Sequence, residues 1–220
     1  VGKHYKDMIF SDDPYFRGTE IAYGPDGAVY ILDWSDIGEC HENDGVHRTS
    51  GRIFKVTHGD VEPRSAFDLE ALNDKDLIAL LTRPNEWDAR QALRIIHERS
   101  ALAGDMSSIV KGARSLFRDG VSTPHKLKGL WALSLADGAT PEWLEDQLAH
   151  PDEHIRAWAI RLLVDSGSIS ETAAGEFGEL AVDDPSGLVL VTLASALQKL
   201  PLETRFGVAV ALAQHSELAG

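Results

Sequence analysis

A single cysteine stands in 220 residues, so no disulfide can close within the chain, and Cys40 by itself says little about redox compartment. No run of eighteen apolar residues occurs, so no stretch is suited to cross a bilayer as a helix. A glycine-rich dinucleotide loop and a Cys-x-x-Cys-His haem site are also missing. No nucleophile motif surrounds any serine, and Ser35, Asp36 and His41 lie too close together to read as a serine triad from sequence. Positive charge is scarce. Lys and Arg number 21 against 35 Asp and Glu, for a net charge of −14, which argues against a nucleic-acid partner. An acidic surface of this kind suits solubility or cation binding and does not choose between them.

Against these absences, one stretch has residue choices that look like chemistry, GPDGAVYILDWSDIGECHENDGVHRTSGRIFKVTHG over residues 24–59. Gly-Pro-Asp-Gly at 24–27 presets one turn position with proline and supplies glycines for positive φ, predicting a hairpin. Thr19 to Tyr23 is a short alternating run ahead of the turn. Ala28 to Trp34 follows it, nearly all apolar, as in a strand covered on both faces. Arg52 to Thr57 reads as a third strand alternating outward polar with inward apolar. Residues 35–51 between them are too many for a hairpin loop. Asp33, Asp36, Glu39, Glu42 and Asp44 fall between 33 and 47, together with Cys40, His41 and His47 and no Lys or Arg. Long polar loops on compact sheets are often functional.

FRGTEIAYGPDGAVYILDWSD followed by GRIFKVTHG resembles the final blade of the six-bladed propeller in planctomycete-type membrane-bound dehydrogenases, whose propeller is similar to those of sugar and sorbosone dehydrogenases. Phe16-Arg17, Gly24 to Gly27, Tyr30, Asp33-Trp34 and Gly51-Arg52-Ile53 carry the resemblance, which covers residues 14–59. Gly18 departs from the family's usual proline. The resemblance implies that residues 1–10 form the outer strand of a preceding blade, and that the 11–18 and 35–50 loops open on one face where substrate and cofactor bind. It implies a parent enzyme, periplasmic or membrane-associated, that oxidises a sugar or related alcohol or aldehyde. A quinone-type cofactor, calcium and a haem c on another domain would serve it, and none of these is expected in this chain itself. The catalytic candidates so implied are Arg17, Asp33, His41 and His47, with Asp36 beside them.

Read on its own residues, the acidic loop leaves three readings open. Asp33, Asp36, Glu39, Glu42 and Asp44 offer oxygens for a hard cation, though their spacing matches no EF-hand. Cys40, His41 and His47 offer softer ligands for zinc or copper, so the metal candidates are Asp33, Asp36, Glu39, Cys40 and His41, with His47. The third reading is a solvated loop in which Asp33 and Trp34 simply anchor the blade.

Residues 61–73 contain proline and charge without a strong period and read as a linker between a β segment at 1–60 and a helical domain at 74–220. Four apolar helix faces follow: Ala89, Ala92, Leu93, Ile96; Leu127, Leu130, Trp131, Leu135; Ile155, Trp158, Leu162, Leu163; and Leu190, Leu193, Ala194, Leu197. Each is preceded by another helical segment, at 75–82, 105–118, 141–149 and 170–182. The expected fold is mainly α: a superhelix of HEAT-like hairpins behind a small antiparallel blade-like sheet. A fifth hairpin begins near Glu203, and the chain starts at Val1 without methionine and stops at Gly220 in a helical pattern, as part of a longer protein would. Trp87, Trp131, Trp143 and Trp158 read mainly as packing, His97, His125, His150 and His154 as solvated, and Asp152 with Arg156 as a local helix pair. Two functions of different class emerge. One is a docking or spacer module on a propeller oxidoreductase, facing a protein partner or cytochrome domain; the other is a non-catalytic HEAT-repeat scaffold for protein binding.

Overall fold

A computed structural model describes residues 3, 5–7, 9–35, 51–59, 68–167 and 169–215. The chain forms two compact units, Val1–Phe67 and Asp68–Gly220. The structure is mainly helical with a small antiparallel sheet.

The first unit holds three strands in sequence order, β1 (Gly18–Tyr23), β2 (Val29–Asp33) and β3 (Arg52–Val56). The 24–27 turn closes with the Gly27 amide donating to the Gly24 carbonyl, and Gly27 takes φ 78°, the left-handed conformation that glycine accepts without strain. Register places Ile21, Ile31 and Phe54 in one row and Tyr23, Val29 and Val56 in the next. Since side chains alternate between faces, Ala22, Tyr30, Leu32, Ile53 and Lys55 occupy the other side. Two expectations fail here. β3 does not segregate polar from apolar, because Arg52 shares a face with Phe54 and Val56 while Ile53 shares one with Lys55. Among described residues 3, 5–7, 9 and 10 there is no strand, and a strand with no neighbour to bond has no ladder to hold it.

The second unit contains, among the described residues, α1 (Asp74–Leu80), α2 (Glu86–Ala101), α3 (Ser107–Asp119), α4 (Thr123–Leu135), α5 (Pro141–Asp146), α6 (Glu153–Asp165), α7 (Glu171–Asp183), α8 (Gly187–Ala196) and α9 (Leu202–Leu212). Side-chain oxygens of Asn73, Asn85, Ser122, Thr140, Asp152, Ser170 and Ser186 accept from the first-turn amides and explain where most helices start. One row runs α2, α4, α6, α8, each helix touching the next. The second row includes α1 on α3 and α7 on α9. Two cores result, one beneath α1 to α4 and one spanning α4 to α9; Phe117, Ala139 and Trp143 pack against both.

Burial in the first row is wider than the expected stripes and shifted by about one position. Ile95, Leu133 and Ile160 are buried beside the predicted residues, whereas Ala194 is exposed. A helix clasped by two neighbours and a partner buries more than one stripe.

Polar links join the starts of consecutive first-row helices. Lys128 Nζ lies 2.5 Å from Glu86 Oε1, Thr123 donates to Asp152, and Ser186 donates to Glu153. Arg156 Nε and a terminal nitrogen each donate over 2.8 Å to Asp184, while its other terminal nitrogen donates to the carbonyls of His150 and Pro151. The local Asp152–Arg156 pairing read from sequence is therefore replaced: Arg156 reaches forward to Asp184 ahead of α8, and Asp152 caps its own helix. Breaking a buried pair by removing one partner strands the other charge, at a cost of about 3–5 kcal/mol. Arg156→Met is expected to lower stability by that order, and the Arg156→Met/Asp184→Leu double variant to recover at least half of it. Denaturant unfolding of the four-member cycle checks this; strictly additive losses would show that the pair is not coupled.

Candidate functional site

Asp33 ends β2 with its carboxyl almost fully buried. One oxygen accepts the Arg17 amide at 2.7 Å and the Ser35 amide at 3.0 Å; the other accepts Arg52 Nε at 2.7 Å, with a second guanidinium nitrogen at 2.6 Å. Arg52 also reaches Asp13 Oδ2 at 2.5 Å, and Asp13 accepts the Tyr15 amide at 2.9 Å. The Trp34 amide donates back to the Arg17 carbonyl at 2.9 Å, and Ser35 leaves the strand at φ 55°. Phe16 covers this face, its ring 5.9 Å from Phe54, with the Arg52 guanidinium 5.2 Å from the Phe54 ring.

Burial alone would raise the Asp33 pKa, but the Arg17 N–H, the Arg52 guanidinium and the Ser35 N–H outweigh it and hold the carboxyl below the ordinary carboxylate value. The Tyr15 amide, ahead of Arg52, does the same for Asp13. Arg52, between Asp13 and Asp33, is raised. The arrangement brings candidates Arg17 and Asp33 together through a backbone amide, and it turns the motif pairs Phe16-Arg17, Asp33-Trp34 and Gly51-Arg52 into one knot joining the entry loop to β2 and β3. With two backbone amides on one oxygen and the Arg52 guanidinium on the other, Asp33 has little left to offer a cation, so calcium does not fit here. Asp36, Glu39, Cys40, His41, Glu42, Asp44 and His47 lie outside the described residues. Among the described residues no three His, Cys, Asp or Glu side chains gather as a metal site requires.

A second site lies in the helical unit, where α3, α4 and α5 meet. Arg114, Phe117, Arg118, Lys126, Trp143 and His150 line an open groove of ≈ 400 Å³. Phe117 and Trp143 meet edge to face at 5.0 Å, and His150 stacks obliquely on Phe117 at 5.9 Å. Arg114 lies 5.4 Å from the Trp143 ring and donates to the Gly138 carbonyl at 2.8 Å. The close crossing of α3 and α4 that shapes the groove depends on Gly129, where an added Cβ would lie 2.6 Å from the Phe117 nitrogen. His150 Nδ1 accepts the Asp152 amide at 3.0 Å; burial foremost, then Lys126, lowers its pKa and keeps the ring neutral at pH 7.

Sequence reading placed Trp143 in packing and His150 in solvent; His97 and His154 are indeed exposed, but His150 belongs to this groove. Arg114, Phe117 and Lys126 were not singled out at all. A signal existed in the cationic cluster Lys111, Arg114, Arg118 and Lys126, which stands out in an acidic chain.

No family model and no curated protein matches this chain. Among solved structures it is similar to a crystallised engineered protein, at 20% identity and a TM-score of 0.35, over 64% of this chain and 68% of that one.

The Asp33 knot has a pH signature. Because the folded pKa is depressed, the stability it supplies is present above the unfolded carboxylate value of about 3.9 and is lost as pH falls through the folded value. Asp33→Asn is expected to weaken the sheet by about 2 kcal/mol at pH 7. It should also flatten, without abolishing, the loss of sheet signals as pH falls below the unfolded carboxylate value of about 3.9, since Asp13 and Asp26 carry the same sign. Amide NMR signals of Ile31 and Leu32 report both effects; an unchanged acid profile would remove Asp33 from the account.

Proposed function

We propose that this chain contributes the last blade and a helical docking module to a larger propeller dehydrogenase of the planctomycete membrane-bound type, acting in the periplasm or at a membrane. The observation that supports this reading is that the sheet carries apolar side chains outward on both faces. Ile21 is 74% exposed on one face and Ile53 69% on the other, with Leu32, Phe54 and Val56 also exposed. A sheet in a sandwich hides one face, whereas a propeller blade is flanked on both. β2 then becomes the doubly covered strand that its continuous apolar run describes.

In this reading the chain has no complete reaction centre. Asp33 serves the sheet, and Arg17 holds Asp33 through its amide. Oxidation of a sugar or related alcohol or aldehyde, with a quinone-type cofactor, calcium and a haem c domain, belongs to other parts of the protein. The helical unit is a superhelix of HEAT-like hairpins that spaces the propeller from, or docks it to, a protein partner or cytochrome domain. Its stacked rows and forward-reaching polar links suit a stiff spacer. The groove on α3, α4 and α5 favours a second reading, a non-catalytic scaffold whose helical surface binds a protein.

The blade reading is decided at Ile53. In the 220-residue chain Ile53→Lys is expected to change stability by less than about 0.5 kcal/mol, since the side chain is exposed. In a polypeptide extended upstream through the preceding blades, the same change buries an ammonium between sheets and should cost at least about 2 kcal/mol, seen as a lower thermal midpoint. Equal tolerance in both would sink the blade. Costly Ile53→Lys in a colourless, calcium-free extended protein would keep the propeller and leave the scaffold as its function.

A further inference from the structure

We propose that the groove formed by α3, α4 and α5 docks an acidic segment of a protein partner, seating an apolar side chain on Phe117 and Trp143 while carboxylates meet Arg114, Arg118 and Lys126. The inference rests on the docking role given above to the helical unit, and names the chemistry of what is docked.

Charge complementarity selects the occupant. In a chain with 35 acidic and 21 basic side chains, no carboxylate among the described residues lines this groove, although Arg114, Arg118 and Lys126 do. Asp119, next to it on α3, is held by Arg118 at 2.8 Å and by the Ser115 hydroxyl at 3.0 Å. Among the described residues Arg114 and Lys126 form no ion pair, and Arg114 is fixed by the Trp143 ring and the Gly138 carbonyl rather than by an acid. A guanidinium pinned in this way, with further N–H donors, is pre-organised for a carboxylate.

Shape selects a segment over a free ion. Phe117 and Trp143 are half-buried at the seam where the two cores meet, each packed against both. They present an aromatic seat that inorganic anions do not use. The groove is open, of ≈ 400 Å³, suited to one or two side chains of an extended peptide. A polyanionic nucleic acid is disfavoured, because the remaining surface is strongly negative. Other clefts lack the combination: the one lined by Ile78, Leu116, Val121 and His125 has no Lys or Arg, and the one around Arg156 contains Asp152 and Glu153.

The test uses the full 220-residue chain, isotope-labelled, titrated with the peptide Ac-Glu-Phe-Asp-Glu-amide and with its neutral counterpart Ac-Gln-Phe-Asn-Gln-amide. The acidic peptide is expected to move the Arg118 and Lys126 amide signals and the Trp143 indole signal. Its affinity should fall roughly tenfold in Lys126→Glu, a reversal of charge at a groove position, and several-fold between about 50 and 300 mM salt. Lys126 is part-exposed, so the variant should keep its helical circular dichroism and thermal midpoint. Arg118→Gln, at a more exposed position, should weaken binding less. Equal binding of the neutral peptide, unchanged affinity in Lys126→Glu, or inorganic phosphate moving the same signals while the acidic peptide moves none, would each overturn the proposal. Failure here and failure of the blade reading are separable, since Ile53 belongs to the first unit and is read by thermal stability, whereas Lys126 belongs to the second and is read by peptide affinity.

Discussion

In the helical unit α2, α4, α6 and α8 each pack on the next, and apolar contact, being non-directional, specifies their register weakly. The polar links at the starts of α2, α4, α6 and α8 supply that specification. Arg156 is 9% exposed and cannot remain unpaired, so the loop before α8 must bring Asp184 to it. Asp184 in turn accepts the Ser186 amide, and Ser186 caps α8 and bonds back to Glu153. One guanidinium thus sets where the next helix begins, how it is capped and which face it turns to α6. Lys128 ties α4 to Glu86 at the start of α2, two junctions earlier, and Arg99 ties Asp74 and the carbonyls of Glu70 and Leu72 to the end of α2.

The sheet is governed by the same requirement at smaller scale. Asp33 is buried at the end of β2 and must be satisfied, and its three donors come from the entry loop, the exit of its own strand and the start of β3. Residues separated by 16 and 19 positions are thereby placed together without a large core. A three-stranded sheet with exposed apolar rows has few other means of fixing its ends. The residue pairs Phe16-Arg17, Asp33-Trp34 and Gly51-Arg52 thus act as a fold constraint, closing the end of this sheet.

What could be read from sequence follows that division. Helix positions were readable, because Asn73, Asn85, Ser122 and Ser170 are cap residues standing just ahead of periodic apolar stretches. Strand positions were readable from Gly24-Pro25-Asp26-Gly27 and from β-branched composition. Facing was less so. β3 was assigned an alternation that Arg52-Ile53-Phe54-Lys55 does not have, since polar and apolar residues there change at a period other than two. Ala194 looked like core but is exposed, because alanine is small enough to sit on either side of a helix. Partners were hidden most: Arg156 lies four residues from Asp152 and 28 from Asp184, and only the packing of α6 on α8 makes the distant carboxylate the nearer one. The groove is legible in sequence only as a cationic cluster, for the same reason: its residues come from α3, α4, α5 and the turn before α6.

The pairing pattern gives the groove its meaning. Where helices of this unit join, the cations are consumed: Arg99 by Asp74, Lys128 by Glu86, Arg156 by Asp184 and Lys199 by Asp165. Carboxylates outnumber cations, so a cation without one does not reflect a shortage of acids. Arg118 is paired with its neighbour Asp119, but among the described residues Arg114 and Lys126 have no ion-pair partner, and the repulsion between cations held near one another goes unrelieved there. A fold that pairs its cations where it needs rigidity, and leaves Arg114 and Lys126 beside half-buried aromatics where two cores meet, has concentrated there the attraction for a negative group from outside the chain.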